Sequence, residues 1–513
     1  MASQIQEVLA LLTLFLSMLV TLVMIRKNFE KTHTTTNALP GPWKLPIIGN
    51  IHHLITSTPH RKLRDLAITH GPIMHLQLGE IFTIVVSSAE YAREVMKTHD
   101  IIFASRPRLL ARDIMSYDCT DLAFSPYGDY WRQLRKISAM ELLSTKRVRS
   151  LWPIREKEIS TLIKLIASKE GSEINLTQEV VSTIYTFFSK AAFGKKYADQ
   201  EEFILVIKEL VKLSVGFYIG DYFPSAKWLQ NLSGMRPKLE KLRHQLDKIL
   251  ENIINDHKEA RSRAKEALVE AKGDLIDAIL KFQETDSSDS NLDFHLTTNN
   301  IKAIILDFFS AGSGTAITTI IWAMTQMMRH PNVLKKTQVE VREVFDKRGK
   351  IDESGIEELK YFKAVIKEVL RLHPPAPLLL PRECKEACEV NGFNIPDKSR
   401  VIVNAWAIAR DPKYWPEPDR FYPERFIDSS IDFIGTNFEY IPFGAGRRIC
   451  PGMNYGMANV EQGLAFLLYH FDWGLPNGMK KEDLNLTEEF GVTMSRKDDL
   501  YLIPTVARPL PAT

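Results

Sequence analysis

Cysteine is scarce in this chain, with four in 513 residues: Cys119, Cys384, Cys388 and Cys450. So few thiols at irregular spacing exclude a disulfide framework and place the folded part in a reducing compartment. Cys384 and Cys388 stand close together, but no second Cys or His pair completes a zinc site, so both read as ordinary cysteines. An excess of one charge is lacking too. A net charge of +3 over this length gives no ground for a nucleic-acid partner or a strongly acidic ligand. There is no internal repeat, and nothing has the pattern of a nucleotide or flavin site. What is there is ordinary for a folded protein with a large core: 45 % hydrophobic and 25 % charged residues.

One run has no charge at all. Residues 8–25 (VLALLTLFLSMLVTLVMI) would span about 27 Å as a helix, close to the thickness of an endoplasmic-reticulum bilayer. Glu7 precedes it, and Arg26, Lys27 and Lys31 follow. That polarity predicts an uncleaved anchor with the remainder cytosolic, rather than a signal peptide. The expected division is a lumenal tip (1–7), a transmembrane anchor (8–25), a basic and proline-rich hinge (26–50) and one large domain (51–513). In the hinge, Pro40 and Pro42 predict a stiff, extended elbow.

The large domain is predicted to be mainly α with small β-sheets, an α+β fold. Long helices are expected over 144–167, 239–271, 298–329 and 331–345, with strands at 73–78, 83–87 and 400–404. The polar stretch 283–298 reads as a surface loop.

The sharpest signal is PFGAGRRICPG at 442–452. One cysteine stands among glycines, after an aromatic and before a predicted helix (453–469). A metal-binding thiolate needs a pKa well below that of a free thiol, and a helix amino terminus supplies amide donors and partial positive charge for that. The glycines let the backbone turn close to the sulfur. Phe443 can cover one side, and Arg448 can reach an anionic group as a charge-assisted partner. Upstream, Glu368 and Arg371 share one helix face, as do Trp131 and Arg135. Midway along the 298–329 helix comes AGSGTA, whose glycines are costly there and suggest close approach to something bulky.

Phe443, Gly446, Arg448, Cys450 and Gly452 fill every fixed place of Phe-x-x-Gly-x-Arg-x-Cys-x-Gly, and the segment resembles the haem loop of the cytochrome P450 haem-thiolate monooxygenases. The resemblance runs from the proline elbow through FASRP at 103–107 to the carboxyl end. It implies haem b with Cys450 as axial ligand, and a cytochrome P450 fold behind the anchor. Trp131, Arg135, Arg382 and Arg448 would then be haem partners, beside Phe443 and Gly452. Glu368, Arg371 and Arg425 would form a buried charge triad. Thr315, with Ala311 and Gly314, would line the oxygen site.

One departure stands out. The family carries an acid immediately before this threonine and a hydroxyl after it, where the chain has Gly314 and Ala316. Asp307, about two turns earlier, Ser313 or water are the candidates to feed protons in its place. The implied pocket comprises Ile114, Phe124, Leu210, Phe308, Ala311, Thr315, Ala376, Leu378, Phe490 and Val492, almost wholly apolar.

The elbow, LPRE at 380–383 and PERF at 423–426 resemble plant endoplasmic-reticulum members of the A type. They imply hydroxylation of an apolar specialised metabolite, foremost a sesqui- or diterpenoid, with an indole alkaloid or phenylpropanoid as alternative. The implied partners are membrane lipid and a separate NADPH-cytochrome P450 reductase, docking near Arg132, Lys136, Arg147 and Arg447 on a monomer. An oxygen-independent isomerase or dehydratase, and a non-catalytic haem carrier, are the rival classes.

Overall fold

In the computed structural model, the apolar run at 298–329 forms one helix, Thr298–Arg329, on which the molecule is assembled. The structure describes residues 12–18, 38–194, 200–213, 218–226, 228–232, 234–266, 273–286, 296–491 and 493–511. A capping box starts the central helix: Thr297 and Asn300 satisfy each other's backbone donors. Its apolar residues point in almost every direction, which suits an element buried all round. It packs against the helices Leu176–Phe193, Lys360–Leu372 and Met453–His470. It is long and apolar enough to cross a membrane, but more than half of its apolar window lies inside the fold.

The sheet beside this body has β1 (Ile73–Leu78), β2 (Ile81–Val86), β3 (Arg382–Glu383) and β4 (Arg400–Val403). Its order is β1-β2-β4-β3, with β2 and β4 parallel and the other pairs antiparallel. The three strands expected from sequence fall in place within a few residues. The proline elbow is stitched to this sheet: the Pro40 carbonyl accepts from the His75 amide at 2.7 Å. A Cβ on Gly41 would lie 2.2 Å from the His75 carbonyl oxygen, so glycine there is required by the contact.

Two expectations need correction. The 144–167 helix is split into Thr145–Ser150 and Trp152–Ala167; Pro153 lacks an amide donor and can sit only in the first turn of a new helix. The loop expected from 283 begins later, because Leu275–Asp286 is helical. Of the expected anchor, residues 12–18 are helical and exposed. Its remaining positions, and hinge residues 26–37, lie outside the described residues.

Candidate active site

Cys450 sits between a tight loop and the helix Met453–His470. Gly444 and Gly446 both adopt left-handed φ, +72° and +68°, which only glycine takes without strain. Gly446 has no room in any case: a Cβ there would lie 2.0 Å from the Met96 carbonyl oxygen. Asp100 accepts from the Arg447 amide at 2.8 Å, and the Cys450 amide donates to the Phe443 carbonyl at 2.9 Å. The Phe443 ring meets Phe433 edge to face, centroids 5.2 Å apart.

Burial pushes the Cys450 thiol up, while the Gly452 amide and Arg135 pull it down. Burial outweighs both in the free thiol, while the amide at the helix start acts in the expected direction. A thiol in this setting becomes a thiolate through a coordinated cation.

The surroundings fit an anionic metal macrocycle. Arg106, Arg382 and Arg448 are all buried, and Arg135 is half-buried beside them. Arg448 is pulled down to about 9, chiefly by burial and then by repulsion from Arg382, with Arg135 adding to it. Arg106 is lowered by burial and by both Arg382 and Arg448. The Arg135 side chain makes no hydrogen bond or ion pair among the described residues, and it feels Cys450 electrostatically. Buried cations persist only when something negative compensates them, and the two propionates of a haem would do so. Cys450, Arg135, Arg382 and Arg448 are the residues that would hold it.

The donors are partly spent within the protein. Arg382 bonds the Ala445 carbonyl at 2.9 Å and Asp100 at 3.3 Å. Arg448 donates to the Ala104 and Ser125 carbonyls, each at 2.6 Å, and stacks over Trp131. The single indole donor of Trp131 goes to the Leu122 carbonyl at 3.0 Å. Trp131 thus lies beneath Arg448 and holds the 121–125 loop through its indole donor. Arg106 was missed beyond its place in the FASRP segment, and no pattern singled it out.

On the central helix, Ala311 is exposed and Thr315 half-buried, within a stretch whose other positions alternate between buried and half-buried. Asp307, Ala311 and Thr315 share one face by their spacing of four. The Thr315 hydroxyl donates to the Ala311 carbonyl at 2.8 Å. Ser313 points elsewhere: it is buried and donates to the Phe309 carbonyl at 2.6 Å. Asp307 accepts from the Leu122 and Ala123 amides at 2.8 and 3.1 Å. Both side chains offered as substitutes for the missing acid are thus engaged in other roles. The glycines also divide. A Cβ at Gly312 would lie 2.4 Å from the Phe188 ring, so that glycine serves helix packing; at Gly314 it would meet only Thr493, at 3.7 Å.

The charge triad is assembled. Arg371 bonds both oxygens of Glu368, at 2.7 and 2.9 Å, and both side chains are fully buried. Arg425 reaches Glu368 at 3.2 Å, and the Tyr422 amide does so at 2.8 Å. Arg371 further bonds the Ala409 and Pro418 carbonyls.

Of the expected pocket residues, Ile114, Phe124 and Leu210 are buried, and Phe308, Ala376, Leu378 and Phe490 are half-buried. Phe308 stacks in an aromatic group, 5.1 Å from Phe188 and 5.0 Å from Tyr455. Arg112 covers the Phe124 ring at 4.6 Å. Val492 lies outside the described residues. In the basic patch, Arg132, Lys136 and Arg447 are exposed, whereas Arg147 is half-buried.

A sequence model of the cytochrome P450 family matches residues 39–502. Cytochrome P450 71D11 of Lotus japonicus is 63 % identical over 96 % of this chain and all of its own. Premnaspirodiene oxygenase of Hyoscyamus muticus is 51 % identical, covering 97 % of each chain. Desmethyl-deoxy-podophyllotoxin synthase of Sinopodophyllum hexandrum is 51 % identical, over 98 % of this chain and 97 % of its own. A zebrafish cytochrome P450 solved with progesterone shares the fold, with a TM-score of 0.75 over 87 % of this chain and 99 % of its own, at 23 % identity.

Proposed function

This chain belongs to the cytochrome P450 family, and on that premise we propose that it hydroxylates a terpenoid hydrocarbon, with electrons delivered from NADPH by a separate reductase. The observation that carries the reading is the surplus of buried arginines next to the Cys450 thiol, which suits an iron porphyrin held by sulfur. Bound haem supplies reductive activation of dioxygen, with the thiolate favouring O–O cleavage.

The chain's own residues do the rest. Cys450 is held by its amide bond to the Phe443 carbonyl and by the helix that follows. Thr315 keeps its hydroxyl proton on the Ala311 carbonyl and leaves its oxygen available as an acceptor on the exposed stripe. Phe124, Ile114 and Leu210 supply an apolar wall that excludes water and orients a hydrocarbon.

Premnaspirodiene is a sesquiterpene hydrocarbon, and the relative named for oxidising it argues for that class. The relative named for a podophyllotoxin precursor favours a second reading, an oxygen-rich lignan. The expected lining offers one hydroxyl, that of Thr315, and would leave the oxygens of a lignan unpaired, so the hydrocarbon is the better fit.

Residues 8–25 are assigned as the anchor and 26–50 as the hinge. The domain from 51 would face the cytosol at the endoplasmic-reticulum membrane, and the exposed Arg132, Lys136 and Arg447 would meet the reductase as a monomer. The exposed apolar helix at 12–18 supports this arrangement.

Microsomes carrying the chain and a plant reductase are expected to oxidise premnaspirodiene only with NADPH and O2. The reduced protein with carbon monoxide should give the red-shifted Soret band of a thiolate ligand, lost in Cys450→Ala. Product without NADPH would favour an isomerase or dehydratase, and a normal Soret band would remove the thiolate.

A further inference from the structure

The loop 116–125 is held against the central helix by two facing acids that the reaction does not use. Asp307 accepts the Leu122 and Ala123 amides through one oxygen, Oδ2. Asp121, buried, accepts the Phe124 amide through Oδ1 at 2.8 Å. Its other oxygen, Oδ2, is buried without a donor. The Asp307 carboxyl and the Ser116 hydroxyl are the side-chain groups that hydrogen-bond Asp121, and a proton held between the two acids would satisfy the orphaned oxygen. Both acids are displaced upward, by burial first; the charge of Asp121 raises Asp307 further, the hydrogen bond from Asp307 pulls Asp121 down, and Arg112 opposes the shift in both.

A second observation concerns the same loop. Tyr117, Asp118 and Cys119 all have left-handed φ, +51°, +62° and +57°, which L-residues adopt in sequence only when the surroundings compel it. The compulsion is visible. Asp113 holds the Asp118 amide and the Cys119 thiol, and Tyr117 donates to Asp247 at 2.9 Å. The loop carbonyls are taken as well: Leu122 by Trp131, Ala123 by Arg106, and Ser125 by Arg448. The arginine cluster thus grips one side of the loop and Asp307 the other.

We propose that Asp307 is a specificity-determining positioning residue, which shares a proton with Asp121, latches the strained 116–125 loop to the central helix and fixes where Phe124 stands against the substrate. The proposal rests on the reading of Phe124 as part of the substrate wall. In that role Asp307 spends Oδ2 on the two loop amides and its proton on Asp121, which leaves proton delivery to Thr315 to another donor.

Hydrogen exchange on the haem-loaded full chain tests it without any substrate. In Asp307→Ala, peptides covering 116–125 should exchange about tenfold faster, with 360–372 unchanged. Asp307→Asn keeps the acceptor oxygen and offers N–H in place of O–H, so it should stay within about threefold of the natural chain. If Asp307→Ala does not load haem, Asp307→Glu, displaced by one methylene, should loosen the same peptides. Unchanged exchange in the Ala or Glu variant, or an Asn variant as loose as Ala, overturns the latch. With premnaspirodiene as probe, Asp307→Ala should change the ratio of hydroxylated positions and Asp307→Asn restore it. An unchanged ratio overturns the specificity role, whereas no turnover by the natural chain overturns the substrate reading and leaves the exchange result to decide the latch.

Discussion

Two regions of this molecule bury carboxyl groups, and they solve the problem in opposite ways. Around Glu368, two arginines and a backbone amide converge on one carboxylate, and the arginines spend their remaining donors on carbonyls. Around Asp307, two acids face each other, and burial outweighs the help of Arg112 and the amides. The first arrangement keeps full charges paired and ties the helix Lys360–Leu372 to the segment before the cysteine loop. The second lowers the charge by sharing one proton, and ties a strained loop to the central helix. A fully charged lock suits a part that holds one arrangement; a proton-sharing latch suits a part whose position decides which substrate fits.

The contrast predicts very different costs of removal. Glu368→Ala would strand Arg371, which is fully buried, and should cost about 3–5 kcal/mol. Thermal unfolding of the haem-loaded protein would show this as failure to accumulate or a large fall in Tm. Arg425→Ala should cost less, because its side chain is partly exposed and water can replace it. Equal losses for Glu368→Ala and Asp307→Asn would erase the distinction between lock and latch.

Legibility followed the same division. The Cys450 loop and the Glu368–Arg371 pair lie in short contiguous motifs, where spacing along a helix or turn brings the side chains together, and the structure assembles them as expected. The central helix was legible through its long apolar run, even though it is largely buried in the fold. The acid pair was not, because Asp121 and Asp307 are joined by tertiary contact across more than 180 positions. Arg106 escaped for the same reason: its partners are the carbonyls of Ala123, Leu380 and Pro381. The break at Pro153 was the opposite case: proline's missing donor stands in the sequence, within a stretch expected as one long unbroken helix.

The glycines of the central helix sharpen the comparison within one element. Gly312→Ala would drive a Cβ to 2.4 Å from Phe188 and should destabilise by about 1–3 kcal/mol, partly relieved by Phe188→Leu. Gly314→Ala has room beside Thr493 and should be neutral or stabilise by up to about 1 kcal/mol through helix propensity. Calorimetry of both variants separates packing from site geometry. If Gly314→Ala destabilises as much as Gly312→Ala, the distal stripe is more crowded than the helix–helix contact, and the two roles must be exchanged.

The smallest effect concerns a third acid on the distal side. Asp221 accepts the Leu110 amide at 2.9 Å, at the start of the helix that leads into the latched loop. Burial raises its carboxyl from 3.8 to about 6, against the pull of that amide and of Arg400, with Asp113 adding to the rise. The folded chain therefore keeps a proton, between roughly pH 4 and 6, that the unfolded chain has released. The associated stability is full below pH 4 and is lost as pH rises through 6. A displacement of that size is worth about 3 kcal/mol at most, and partial exposure reduces it to roughly 1 kcal/mol. Asp221→Asn keeps the oxygen that Leu110 needs and carries no charge, so its Tm should exceed that of the natural chain at pH 8 by a few degrees and match it near pH 4. Parallel Tm curves for the two proteins would mean that Asp221 ionises as freely in the fold as out of it, and that burial does not hold its proton.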